Sequence, residues 1–355
     1  MTNKIAKLFT FKNSEQCSLF LIKYLLFIIF LSACAKQEQQ QIHVFSGPMM
    51  GTNYRITVVV DSALDEDLLH KDALSAMESV NQSMSTYIET SEINAINRLV
   101  ANKKMNVSKP LMEVLQYAQQ VSQLSDGAFD ITLGPLINLW GFGEDGRINK
   151  QPSGQAVEAV APTIGYKNLT LTDEALTKSH AATQLNVSAI AKGYAVDKVA
   201  ESLERNGVSD FLIDIGGELR AAGQNIDQEV WSVGIEKPQL TGGVQEVIRL
   251  ANKAVATSGD YLNFILIDEQ RYSHTINPKT MAPVLHKLAL VSVIHDNATM
   301  ADALATAMMA MGEERAWVFA QEQSLAAYFT IRSGDGAGFE NRYTPSFAEF
   351  IESDY

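Results

Sequence analysis

Apolar and polar residues alternate through TNYRITVVVD (Thr52–Asp61), a β-branched run that reads as a strand, and the pattern lengthens to a helical period from about Leu64 to Met84. A second helix is predicted over roughly Lys109–Leu124, stopping at SDGAFD. LTLT (Leu169–Thr172) and TQLNVS (Thr183–Ser188) read as strands, and AIAKGYAVDKVAESLERNG as a helix that Asn206 and Gly207 close. DFLIDIGGELRAAG (Asp210–Gly223) has the form strand, Gly-Gly turn, strand. WSVGIEKP, EVIRLANKAVATSG, FILID and ALVSVIHD supply more strands, a helix follows over Thr299–Gly312, and AAYFTIR is expected as the last strand. Strands outnumber helices and come partly in hairpins. That favours an α+β fold, a single compact domain with mixed or antiparallel sheets and packed helices, over a regular doubly wound sheet.

The helix TMADALATAMMAMG is apolar or glycine except at Thr299, Asp302 and Thr306. Four apart, Asp302 and Thr306 stand on one face. Burying a carboxylate without a partner is costly or forces it to take up a proton, so something positive is expected beside it. An oxygen-only pair suits a hard cation such as Mg²⁺ or Ca²⁺. A carboxylate that complements the helix dipole, with a threonine bonded back to the previous turn, fits the same two residues.

The first 34 residues differ from the rest: Lys4, Lys7 and Lys12 precede the apolar run YLLFIIFLSAC (Tyr24–Cys34). It is too short to span a bilayer and has the shape of a secretory signal. Its LSAC end resembles the bacterial lipobox. The expected organisation is a lipoprotein signal peptide over 1–33, a lipidated Cys34 with a polar tether over 34–41, and one folded domain over 42–355. Cleavage before Cys34 also removes Cys17, leaving no pair for an internal disulfide. The remaining chain carries 24 Lys and Arg against 40 Asp and Glu, a formal charge of −16. Nucleic acid and anionic lipid are poor partners for such a body, and a phosphorylated ligand has to be met by local cations.

GFGEDG (Gly141–Gly146) is a literal GxGxxG, but RINKQPSG follows it and no helix begins there, so the dinucleotide-binding geometry is missing. Six histidines stand singly, which argues against a His-built metal site. In NVSAIAKGYAVD, Ser188 as cap puts Lys192 near the first turn, where a cation opposes the dipole unless an anion docks there. A lysine extended into solvent fits as well. The glycines of IDIGGE permit close approach to a ligand or make an ordinary hairpin. His274 precedes the Asn-Pro turn of SHTINPKT. Tyr87, Phe129, Trp140 and Phe142 gather in the first half, and spacing alone does not separate stacking from core packing.

Eight blocks, MMGTNYRI, MSTYIETSEINAIN, GAFDITLGPLINLWGFG, SAIAKGYAVDKVA, IDIGGELRAAG, VATSGDY, SHTINPKT and ADALATA, occur in the order and roughly the spacing of the ApbE family, the FAD:protein FMN transferases. The chain resembles that family from about Gly47 to Gly312. The resemblance implies a Mg²⁺-dependent enzyme that splits FAD at its pyrophosphate. It joins FMN by a phosphoester to a Ser or Thr hydroxyl of another protein and releases AMP. By motif, Met50 and Tyr87 would contact the flavin end of FAD, Ala128, Phe129 and Asp130 would line its cleft, and Asn186 and Lys192 would meet it at the helix start. Ile276 would add a backbone contact, and Asp302, Thr306 and the Ala189 carbonyl would hold the metal. His274 is the expected proton acceptor for the attacking hydroxyl, with Asp260 second, and Lys192 stabilises charge on the pyrophosphate. Two positions depart from the family: Asn186 stands where Asp is usual, and Ala305 where some members carry another carboxylate.

The implied partners are FAD and acceptor redox proteins with a flavinylated Ser or Thr, such as membrane NADH:quinone oxidoreductase or Rnf-type subunits. The implied location is the bacterial periplasm, lipid-anchored, with the inner membrane favoured over the outer. An FAD pyrophosphatase that uses water as acceptor, and a non-enzymatic FAD-binding lipoprotein, remain open beside the transferase.

Overall fold

Eight strands pair into one sheet in the order in which they occur along the chain. They are β1 (Gln40–Met49), β2 (Thr52–Asp61), β3 (Asp210–Ile215), β4 (Glu218–Ala222), β5 (Lys253–Gly259), β6 (Leu288–His295), β7 (Ala326–Arg332) and β8 (Phe339–Tyr343). From β2 to β8 each neighbouring pair is antiparallel. The computed structural model describes residues 40–351 except 62, 63, 240 and 335–337. The expected signal peptide, Cys34 and all but the last two tether residues lie outside the described residues.

Alternation along the strands decides what covers each face. Ile56, Val58, Phe211, Ile213, Val291, Val293 and Phe329 join the main core with the helices. Val59, Leu212, Leu290, Ile294 and Tyr328 point the other way, onto the hairpin Trp231–Glu236/Val244–Leu250 and Phe347. With both faces covered, β6 is a nearly unbroken apolar run, LALVSVIH. Each such side chain, fully buried, contributes about 1.5–3 kcal/mol.

Four long helices matter to the site: α1 (Glu66–Met84), α2 (Lys109–Leu124), α3 (Ser188–Arg205) and α4 (Ala298–Met311). The first three lie in the insertion between β2 and β3, and α4 lies between β6 and β7. Helix α4 is buried nearly all round, packed on α3, β5 and β6, which explains its uniform Ala, Leu and Met content. Asn297 caps it by accepting from the Met300 amide (2.8 Å).

Several expectations change. TQLNVS is no strand: Gln184 makes a single bridge to Leu133, and the Asn97 side chain accepts from the Leu185 amide (2.7 Å) and donates to its carbonyl (3.0 Å). Ser188 is not the cap of α3. Val187 occupies that position without a side-chain bond. EVIRLANKAVATSG divides near Asn252, whose φ of 53° turns the chain from the hairpin into β5. Strand β1 takes in Gln40 and Gln41, given to the tether by sequence, and β8 follows AAYFTIR. No helix follows GFGEDG until Gly154, as its flanking residues imply.

Candidate active site

The site is built where α3 crosses α4. A Cβ on Gly193 would lie 2.3 Å from the Ala298 carbonyl oxygen and 2.9 Å from the Asp302 Cβ, so only glycine lets the helices approach this closely. That approach lets the Gly193 amide donate to Asp302 Oδ2 (3.0 Å). In a regular helix the same amide serves the Ala189 carbonyl, four residues back. Asp302 is 5% exposed, and burial pushes its carboxyl above the ordinary range, opposed by Lys192 and the Gly193 amide. Thr306 stands one turn on, half-buried.

Lys192, also on α3, forms an ion pair with Glu218 Oε1. Glu218 is 2% exposed, and its Oε2 has no hydrogen-bond partner. Burial would lower the Lys192 pKa, but Glu218, Asp302 and Asp214 together outweigh it and hold the ammonium above its ordinary value. Burial raises Glu218 against the pull of Lys192. Glu218 reaches this point because β3 and β4 meet in a tight Gly216–Gly217 turn with positive φ at both glycines. The Gly216 amide donates to the Asn53 carbonyl (3.0 Å), and a Cβ there would meet Thr52 at 2.7 Å, so the turn abuts the start of β2. Met50, half-buried with φ 52°, lies in the adjoining turn between β1 and β2.

His274 interacts electrostatically with Lys192. The Asn263 carbonyl accepts both from its backbone amide (3.1 Å) and from Nδ1 (3.0 Å). That fixes the hydrogen on Nδ1 and leaves the Nε2 lone pair free. Burial lowers the His274 pKa, which favours this neutral form. Phe142 meets the ring edge-on at 6.5 Å. Asp260 is differently engaged. Arg332 holds both its oxygens (2.8 and 2.5 Å), and Arg271 donates to its backbone carbonyl. With both carboxylate oxygens committed to Arg332, the geometry favours His274.

Tyr87 is 72% exposed and borders a hollow of about 260 Å³ with Asn97, Arg98, Glu144 and Gln184. The exchange of bonds between Asn97 and Leu185 ties the floor of this hollow to the segment leading into α3. Asn186 Oδ1 accepts from the Ser188 amide (3.0 Å) and hydroxyl (2.6 Å) and so does the work expected of Ser188. Ile276 is buried and pairs through its backbone with Pro283. Ala128, Phe129 and Asp130 are buried. Phe129 belongs to the core, and the Asp130 carboxylate accepts from Thr132 (2.8 and 2.6 Å) and from the Tyr166 amide (2.8 Å). These two side chains are engaged in the core and in a turn. A larger hollow of about 440 Å³ between α2 and α3 is bordered by Glu113, Lys198, Asp197 and Arg220, which are already paired with one another or with neighbours.

The fold thus sets Asp302, Glu218, Asp214 and His274, from separate parts of the sequence, each within electrostatic reach of Lys192. Sequence reasoning passed over Glu218, the residue after the two glycines. The available signal was a carboxylate at an inward position of a strand. Among the described residues no three His, Cys, Asp or Glu side chains gather as a metal cluster. The set that the family resemblance implies at Asp302 is its own carboxylate, the Thr306 hydroxyl one turn on and the Ala189 main-chain carbonyl. All are oxygen, and the carboxylate is buried with one amide as its hydrogen-bond donor. Such a set fits Mg²⁺, which takes remaining ligands from phosphates and water.

The ApbE family model matches residues 50–329. An FAD:protein FMN transferase of Vibrio cholerae is 36% identical over 326 residues, 91% of this chain and 96% of the relative. One from Haemophilus influenzae is 35% identical over 332 residues, 91% and 95% of the two chains. Among solved structures, the flavin transferase ApbE of Vibrio cholerae superimposes with a TM-score of 0.82 at 35% identity, covering 88% of this chain and 99% of that one. The apo form of the Pseudomonas stutzeri flavinyl transferase ApbE gives 0.83 at 35%, covering 90% and 100%.

Proposed function

The chain belongs to the ApbE family, and from that premise we infer that it transfers the FMN half of FAD to an acceptor protein, an FAD:protein FMN transferase. The observation that carries this reading is that the Asp302 carboxylate is bonded to the Gly193 amide beside Lys192, and that His274, from a third sequence block, lies within electrostatic reach of that lysine.

Nε2 of His274 accepts the proton of an acceptor Ser or Thr hydroxyl. The hydroxyl oxygen attacks the FMN-side phosphorus, forming a phosphoester. The bond from that phosphorus to the bridging oxygen breaks, and AMP leaves with the electron pair. Lys192 at the start of α3 neutralises charge on the diphosphate, and the flavin end extends toward Met50 and Tyr87. Asp302, Thr306 and the Ala189 carbonyl would hold Mg²⁺, which when bound would neutralise charge on the phosphate oxygens. Phosphoryl transfer asks mainly for positioning and charge neutralisation, and these residues offer both.

The signal-like N-terminus and its LSAC end support a lipoprotein held on the periplasmic side of a membrane, where exported redox proteins are the acceptors. The test is incubation of the protein with FAD, Mg²⁺ and candidate acceptor domains, followed by intact-mass analysis. A gain of one FMN moiety on the acceptor and a matching release of AMP are expected. AMP release that is equal without acceptor identifies a pyrophosphatase. FAD binding without AMP under any metal identifies a carrier.

A further inference from the structure

Glu218 is buried on β4 with a single partner. Carboxylates that serve the fold here have both oxygens hydrogen-bonded, as Asp130 and Asp197 do. Glu218 has Lys192 on Oε1 and nothing on Oε2. A buried ion pair recovers little more than its desolvation cost, and an apolar pair of similar volume would hold α3 against β4 at least as well. Stability therefore does not explain the pair. Lys192 feels two buried carboxylates, Glu218 and Asp302, yet is bonded only to the first.

Resting on the metal reading above, we propose that Glu218 is a positioning residue that draws Lys192 aside, keeping Asp302 open to a divalent cation and the ammonium clear to meet a diphosphate. Without Glu218 the lysine turns to Asp302, which acts on it more strongly than the half-buried Asp214. Ammonium and dication then compete for Asp302.

The test uses Mn²⁺ as the probe, titrated into the purified protein without FAD or acceptor and followed by electron paramagnetic resonance of the free ion. The parent protein, Glu218→Gln, Lys192→Met and the double variant are compared. Glu218→Gln is expected to weaken Mn²⁺ binding about tenfold or more, as lost support of a metal ligand commonly does. In the Lys192→Met background the same change should have less than about a twofold effect, because the competing ammonium is gone. Equal losses in both backgrounds would mean that Glu218 acts through its charge alone, which overturns the proposal. Unchanged affinity in Glu218→Gln overturns it too. Glu218→Asp keeps the charge but retracts the oxygens, so the same Lys192-dependent loss is expected, and it carries the test if Glu218→Gln does not fold. A parent protein that binds no Mn²⁺ removes the metal reading and this inference together, whereas a binding parent with an indifferent Glu218→Gln removes the inference alone.

Discussion

One turn of helix separates two carboxylate sites along the α3–α4 contact, and they are supplied very differently. Asp197 accepts from the Ala298 amide (3.0 Å), the Thr299 amide (2.9 Å), the Thr299 hydroxyl (2.6 Å) and Arg220 (2.8 Å). It pins the N-terminus of α4. Asp302 receives one backbone amide, and Glu218 beside it leaves an oxygen bare. Both sites are buried against the same helices, so burial does not distinguish them. Donor supply does: a saturated carboxylate is architecture, and an undersupplied one is waiting for charge from outside.

Substitution at Asp302 draws this contrast most sharply. Asp302→Ala is expected to abolish Mg²⁺-dependent turnover, a loss of about 10³-fold or more, since charge neutralisation by a bound cation is worth several kcal/mol. Its melting temperature should hold or rise, because a poorly compensated buried charge is removed. A variant that keeps full activity refutes the metal assignment, and a large loss of stability would move Asp302 to the architectural side.

Next in size is His274→Ala, expected to cost about 10²–10⁴-fold in transfer while FAD binding persists. The pH profile gives a finer check. The base works only when neutral, and burial lowers its pKa, so activity should be retained as pH falls past the ordinary histidine value and be lost only below it. An acid limb above that value would point to another group.

Asp197→Ala should act in the opposite sense to Asp302→Ala. Losing the bonds at the start of α4 and leaving Arg220 unpaired should destabilise the fold by about 2–4 kcal/mol, read by denaturant unfolding. The activity of the fraction that stays folded should fall much less. Equal stability of Asp197→Ala and Asp302→Ala would erase the difference between the two sites.

Why sequence revealed one of these residues and not the other follows from range. Asp302 stands out because a single helix, apolar on every side, carries it, and helical spacing aligns Thr306 with it. Strands β2 to β7 were legible for a similarly local reason, short β-branched and apolar runs. Whether Lys192 faces solvent, phosphate or Glu218 depends instead on how β4 lies against α3, which no local period encodes. Gln40–Met49 escaped detection because its alternation does not sort by polarity: Ile42 and Val44 are exposed while His43 and Phe45 face inward, on the first strand of the sheet order. TQLNVS is no strand because the backbone bonds of Gln184, Leu185 and Asn186 go to Gly134, the Asn97 side chain and Ile131 and not to a strand ladder, and Val187 already turns into α3. For Asp130 and Phe129, which by resemblance line the cleft, no local pattern in the sequence shows that their side chains are engaged in a turn and in the core.

The smallest expected effect comes from Asn186→Asp, which restores the residue usual in the family. Asn186 Oδ1 only accepts, from the Ser188 amide (3.0 Å) and hydroxyl (2.6 Å), and a carboxylate oxygen can take both bonds unchanged. The added charge faces the N-terminus of α3, which favours it by about 0.3–1 kcal/mol and should raise the melting temperature slightly. Because those two donors already occupy the oxygen and the residue is half-exposed, Mn²⁺ affinity should rise only a few-fold. A gain beyond about tenfold, 1.4 kcal/mol, would exceed what a screened helix-end charge supplies. Position 186 would then act on the ion directly, and the undersupplied side of the α3–α4 contact would extend to the start of α3.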